Sequence, residues 1–142
     1  MIQLCLGHYK PIYYIETIIK LDNGDTYDVE EQIGSGGNAT VHKCTDRITG
    51  EEYAIKFLLA LGVKMHRRFQ QEIRLLQETK HDHLIKYTGS GILTATTLGS
   101  KKVQIPVRIP FLIMPLATSN LFKFVNDRGF GTELKHDFFI NK

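Results

Sequence analysis

Three groups of residues have types and spacing suited to chemistry. The first is Ile33-Gly34-Ser35-Gly36-Gly37-Asn38-Ala39-Thr40-Val41. Glycines between two extended segments let the backbone approach a phosphate closely, with amide N–H groups facing the anion. The second is Tyr53-Ala54-Ile55-Lys56, with Lys56 fifteen residues after Val41. Alternate residues of a strand share a face, so Ala54 and Lys56 point one way while Tyr53 and Ile55 point the other. A small residue beside a lysine suits a flat base whose phosphates lie further along. The third is Glu72, at the border of an apolar helical stripe, where a carboxylate can reach a lysine on an adjoining sheet and orient it as an ion pair. Taken singly, each has a plainer reading: a turn glycine, a surface lysine, a solvated glutamate. Their order and spacing together are less ordinary.

The elements that must position these groups follow from composition and period. Residues 13–21 are rich in β-branched and aromatic types and predict a strand. Asp22-Asn23-Gly24-Asp25 carries the Asn-Gly hairpin signal, and residues 26–33 form the return strand. Residues 40–46 predict another strand, Arg47-Ile48-Thr49-Gly50 a turn, and residues 52–59 a third strand. Consecutive hairpins make an antiparallel sheet that needs a cover on one face. Residues 63–79 supply it: Phe69, Ile73 and Leu76 fall at i, i+4 and i+7, with Gln70, Gln71, Arg74 and Gln77 opposite. Residues 84–92 read as a strand. Residues 93–106 read as a long polar connection, either paired in part as a hairpin or mobile. Residues 107–114 predict the last strand. Pro115 fits poorly inside a central strand. Thr118 or Ser119 can cap a helix starting near Leu121 and Phe122, and after Gly129 the pattern fades.

Composition narrows the field. The 142 residues are 42% hydrophobic and 23% charged, which suits a soluble domain with a core. A net charge of +3 is too small and too evenly spread to argue for nucleic acid. The densest basic run, Lys64-Met65-His66-Arg67-Arg68, reads as a solvated helix face. Cys5 and Cys44 form no CxxC pair; neither a disulfide framework nor a zinc site follows, and two free thiols are expected. No apolar run approaches the ~20 residues that span a bilayer, and the first six residues lack the basic start of a signal peptide. A cytoplasmic protein with no membrane or nucleic-acid partner is expected.

Glycine loop, strand, turn, strand lysine and helix glutamate, in that order, resemble the protein kinase family from about Tyr27 to Leu121. Tyr53 stands where the family pattern has valine, with Ala-Ile-Lys intact. Arg47-Ile48-Thr49-Gly50 is similar to the link before the lysine strand, and His81-Asp82-His83-Leu84-Ile85-Lys86-Tyr87 to the segment entering the next one. The resemblance implies an α+β fold: a kinase N-lobe with a twisted antiparallel sheet of about five strands, an extra N-terminal strand and one covering helix, without the large C-lobe. It divides the chain into an extension (1–26), the lobe (27–117) and the start of the C-lobe (118–142). ATP is the implied ligand. Gly34, Ser35, Gly36 and Gly37 would cover its phosphates beside Ile33, with Ala39 replacing the pattern's third glycine and stiffening the loop. Lys56 would contact the α- and β-phosphates, Glu72 would hold Lys56, and Val41 and Ala54 would sandwich adenine. Met114 would be the gatekeeper and Pro115, Leu116 and Ala117 the hinge. Pro115 need offer only its carbonyl there, while Ala117 keeps an N–H to donate.

A complete domain of this family also needs a His-Arg-Asp loop and an Asp-Phe-Gly magnesium site. Neither occurs: His81-Asp82-His83 precedes the hinge, and Arg128 and Gly129 separate Asp127 from Phe130. No metal ligand is therefore assigned, and magnesium is expected only in a complete domain. Two accounts follow. One is the front of a serine/threonine kinase, silent by itself and prone to self-association through apolar surface that normally meets the C-lobe. The other is a stand-alone nucleotide-binding or partner-docking module. A blander third is an α+β domain with no nucleotide site.

Overall fold

The computed structural model describes residues 1–7, 11–36, 38–59, 62–78, 88–98 and 103–116. Among them are eight strands and one helix: β1 (Ile2–Leu4), β2 (Tyr13–Ile15), β3 (Ile18–Lys20), β4 (Thr26–Gly36), β5 (Ala39–Asp46), β6 (Glu52–Leu58), α1 (Val63–Glu78), β7 (Gly89–Leu98) and β8 (Gln104–Pro115). All eight strands join one sheet in the order β1-β2-β7-β8-β6-β5-β4-β3, and every pair is antiparallel. Strands β4 to β8 are the five expected of a kinase N-lobe. The N-terminal segment adds three strands rather than one.

The expected single strand over residues 13–21 is broken at Glu16-Thr17. The reason is topological. Strand β2 pairs with β7 through Tyr13↔Thr97 and Tyr14↔Thr96, whereas β3 pairs with β4 through Ile18↔Asp28 to Lys20↔Thr26. These partners lie far apart in strand order, yet two residues link β2 to β3, so the sheet must curl. The Val29 N–H donates to the Thr17 carbonyl at 2.7 Å, tying the crossing to β4. The hairpin that follows uses the predicted Asn23-Gly24 signal: Gly24 has φ of 97°, and the Leu21 N–H closes the loop on the Asp25 carbonyl at 2.8 Å. At the β5–β6 turn, the Asp46 carboxylate accepts the Ile48 N–H at 2.8 Å, and Gly50 takes φ of 77°.

The second correction concerns β7 and β8. Among the described residues strand β7 starts at Gly89 and runs through the threonines to Leu98, six residues beyond the expected end at residue 92. It pairs with β8 continuously from Gly89↔Ile113 to Leu98↔Gln104. Of the two alternatives for residues 93–106, paired in part as a hairpin or mobile, the described residues take the first; threonine is β-branched and suits a pleated, half-exposed strand. Pro106 and Pro110 are tolerated because β6 pairs with β8 only between Phe111 and Pro115. Beyond that, the other edge of β8 carries no ladder among the described residues that a proline would disturb. The expected features at residues 79–87 and beyond 116 lie outside the described residues.

The two faces of the curled sheet carry separate cores. The inner face gathers Leu4, Tyr13, Ile15, Ile19, Leu21, Tyr27, Val29, Cys44, Ile55, Phe57, Leu59, Ala95, Ile109, Phe111 and Ile113. Five of these residues precede Asp22, so the N-terminal segment is part of the core. Cys5 and Cys44 are both free thiols, and burial pushes the Cys44 thiol up to about 12. The outer face gathers Val41, Ala54, Leu58, Phe69, Ile73, Leu112 and Met114, with Ile33, Leu76 and Leu116 packed against them. Helix α1 covers part of this face through Phe69 and Ile73.

Candidate functional site

Strand β6 places Ala54, Lys56 and Leu58 on the outer face, because its odd-numbered neighbours Ile55 and Phe57 fill the inner one. Lys56 is 9% exposed. Helix α1 crosses above it and lowers Glu72, also 9% exposed, from the turn between Phe69 and Ile73. The Lys56 Nζ lies 3.8 Å from the Glu72 Oε2. That is ion-pair contact but too long for a hydrogen bond, and Glu72 Oε2 is buried without a hydrogen-bond partner. The same ammonium stands 5.6 Å from the centroid of the Phe69 ring, within cation–π range. Sheet and helix thus hold a buried cation and a buried carboxylate face to face.

Beside the pair runs an apolar wall. Ala54 lies opposite Met114, Lys56 opposite Leu112, and Val41 opposite Lys56. Ala54, Met114 and Val41 are 0%, 1% and 4% exposed. Ile33 joins this wall through a backbone irregularity. Strict alternation from Tyr27 and Val29 would send Ile33 to the inner face. Register shifts between Val29 and Gln32 and between Gln32 and Gly34 break the alternation, and Ile33 packs on the outer cluster. A one-residue insertion turns a strand over in this way. The glycine-rich segment stays extended: Gly34, Ser35 and Gly36 pair with Val41, Thr40 and Ala39. A side chain at Gly34 would meet nothing within 4 Å, so space is open in front of that strand.

The sequence matches the protein kinase domain family over residues 27–138. The chain belongs to the protein kinase family. Its similar relatives include death-associated protein kinase 2 of Mus musculus, 34% identical over 77 residues and covering 50% of this chain. Death-associated protein kinase dapk-1 of Caenorhabditis elegans is 32% identical over 88 residues, covering 54%. Calcium/calmodulin-dependent protein kinase type II of Caenorhabditis briggsae is 28% identical over 64 residues, covering 44%. The chain spans 21%, 6% and 12% of these three proteins. Among solved structures, the autoinhibited serine kinase domain of the giant muscle protein titin aligns with a TM-score of 0.47 at 20% identity, over 63% of this chain and 23% of that one.

Of the residues singled out from sequence, the kinase lobe brings Lys56, Glu72, Ile33, Val41, Ala54 and Met114 to one outer face. Gly34, Ser35 and Gly36 end the strand beside them. Pro115 is the last residue of β8, opposite Tyr53, where its missing N–H matters little. Gly37 and Ala117 lie outside the described residues. Two participants went unrecognised. Phe69 was read as core alone, although its position three residues before Glu72 on one helix face is a usable signal. Leu116 was assigned to the hinge, and its packing on the outer cluster has no signature in the sequence. Among the described residues, no group of three or more His, Cys, Asp or Glu is placed to hold a metal ion. No described helix is long and apolar enough to cross a membrane.

Proposed function

We propose that this chain supplies the ATP-binding lobe of a protein serine/threonine kinase. The observation that carries the reading is the buried Lys56–Glu72 contact at 3.8 Å beside an apolar wall. A ligand phosphate would meet the buried Lys56 ammonium, which Glu72 holds by an ion pair. The residues fit such a ligand. Val41 and Ala54 would sandwich adenine, with Ile33 and Leu116 at its margins. Gly34, Ser35, Gly36 and Gly37 would bring backbone N–H groups over the phosphates. Lys56 would neutralise the α- and β-phosphates while Glu72 fixes its direction. Met114 would bound the base pocket, Pro115 would offer a carbonyl to the base, and Ala117 an N–H.

Phosphoryl transfer further requires a residue to orient the hydroxyl and ligands for magnesium, and these 142 residues contain no motif for either. By themselves they are assigned nucleotide binding and no transfer. Calorimetric titration of ATP is the test. Binding should be weak, changed little by magnesium, and lost in Lys56→Met. Equal affinity in Lys56→Met would overturn the assignment of the site. Strong magnesium-dependent binding would show that the metal ligands are already in place.

A further inference from the structure

His42 lies on the inner face of β5, 3% exposed, yet it reaches the strand that carries the glycine-rich segment. Its ring packs edge-on against Phe57. Its Nδ1 stands 3.0 Å from the Glu30 carbonyl of β4, and its Nε2 is buried without a hydrogen-bond partner. Leaving a polar atom buried and unsatisfied is costly, and an apolar side chain of similar shape would avoid that cost. Packing alone therefore does not call for an imidazole here, whereas the contact with Glu30 does.

Glu30 marks the place where β4 slips against β5. Val29 pairs with Cys44 and Gln32 with His42, so Glu30 and Glu31 together oppose Lys43. That is one inserted residue, a β-bulge. A second insertion follows at Ile33, between the pairs Gln32↔His42 and Gly34↔Val41. The first insertion turns the strand over, so that Ile33 packs on the outer cluster that includes Val41 and Ala54. This bulge is held from both faces. On the inner side His42 takes the Glu30 carbonyl. On the outer side the Glu30 carboxylate accepts the Thr45 hydroxyl and lies 3.8 Å from Lys43 Nζ. Lys43 also pairs with Glu52 of β6. The outer ion pairs are partly exposed and contribute little, which leaves the buried His42 contact as the firmer hold.

We propose that His42 is a positioning residue of the nucleotide site: by holding the Glu30 carbonyl it fixes the bulge that presents Ile33 to the outer face and sets the register of Gly34 to Gly36 against β5. It touches no ligand and acts through the β4 backbone. The inference rests on the outer face being a nucleotide site, but the orientation of Ile33 can be tested without ATP.

The test uses NMR on the full 142-residue chain, methyl-labelled at isoleucine, valine and alanine. In the wild type, long-range nitrogen spectra should show the Nδ1–H tautomer of His42, and Ile33 should give NOEs to methyls of the outer cluster. An Nε2–H tautomer would overturn the proposal before any substitution is made. His42→Leu should weaken the Ile33 NOEs and lower ATP affinity by about tenfold. His42→Asn, whose amide nitrogen branches from the same carbon as Nδ1, should keep the NOEs and restore most of the affinity. Ile109→Val, an inner-core change on β8, should lower stability and leave both readouts unchanged, which separates positioning from packing. Wild-type NOEs and affinity in His42→Leu would overturn the proposal, and so would a His42→Asn variant as impaired as His42→Leu. If His42→Leu does not fold, the wild-type tautomer and His42→Asn decide. If the wild type binds no ATP, the nucleotide reading fails, while the Ile33 NOEs still show whether His42 holds the bulge.

Discussion

Neighbouring residues of β6 face two different environments. Ile55 and Phe57 enter an inner core closed by strands from both ends of the curled sheet, and each is 0% exposed. Ala54, Lys56 and Leu58 face a shallower cluster covered by a single helix. The inner face is built from many apolar residues, and its polar intrusions are His42 and Thr40. The outer face keeps a charged pair almost fully buried. Three buried side-chain atoms among the described residues lack a hydrogen-bond partner: Thr40 Oγ1, His42 Nε2 and Glu72 Oε2. Two belong to β5. The third belongs to the outer face, where it stands 3.8 Å from the Lys56 ammonium. One strand thus divides its alternate residues between a closed apolar core and a helix-covered face that holds an ion pair.

The largest expected effect tests the inner half of that division. Phe57→Ala should cost about 3–5 kcal/mol, the usual range for emptying a fully buried aromatic site. Urea denaturation would measure it. Nucleotide affinity extrapolated to the folded population should hardly change, because Phe57 points away from Lys56. A loss below about 1 kcal/mol would mean that the inner face is loosely packed. A proportionate loss of nucleotide affinity would mean that the faces are not separable.

Much of this division is legible from residues alone. The spacing of Ala54 and Lys56 assigns them one face, and the spacing of Phe69 and Ile73 puts Glu72 beside the buried stripe. The N-lobe strands β4, β5 and β6 also follow from turn chemistry at Asn23-Gly24 and Thr49-Gly50. What was not legible depends on distant partners. Nothing local at Glu16-Thr17 says that β2 will pair with β7 and β3 with β4. Nothing local at Val29 to Gly34 announces register shifts, yet they decide which face receives Ile33. The far half of strand β7 was disguised by threonines that read as polar linker, so the expected strand ends at residue 92, with Gly89 and Gly91 inside it. The glycines are there because Leu21 and Phe111 press on that strand, a requirement visible only in three dimensions.

The next effect tests the outer half. Lys56→Met should remove nucleotide binding and also cost about 3 kcal/mol, because it leaves the buried Glu72 carboxylate without its cation. Adding Glu72→Leu should restore most of that stability, since replacing a buried ion pair by apolar groups is often neutral or better. It should not restore binding. Thermal melts and calorimetry on the single and double variants would read the two effects separately. If the double variant stays as unstable as Lys56→Met, the pair is not the source of the loss. If it regains nucleotide binding, Lys56 is not the phosphate-contacting residue.

The smallest effect concerns His42, whose ring packs edge-on against Phe57 at 5.6 Å between centroids. Its Nδ1 lies 3.0 Å from the Glu30 carbonyl, so Nδ1–H is the donor and the buried Nε2 is left as a bare acceptor. Protonating Nε2 would add a buried N–H with nothing to receive it. Burial accordingly lowers the His42 pKa from 6.5, against smaller opposing contributions from the Glu30 carbonyl and the Glu31 carboxylate. In the unfolded chain the imidazole titrates near 6.5. Above that pH it is neutral in both states and favours neither. As pH falls below it, the unfolded chain takes up a proton before the folded one does, and stability declines until the lowered folded pKa is passed. Urea midpoints measured from about pH 8 down to about pH 5 should therefore drop, and His42→Leu should reduce that drop. An equal drop in His42→Leu would assign the pH dependence to other groups and leave the buried imidazole without influence on the inner face.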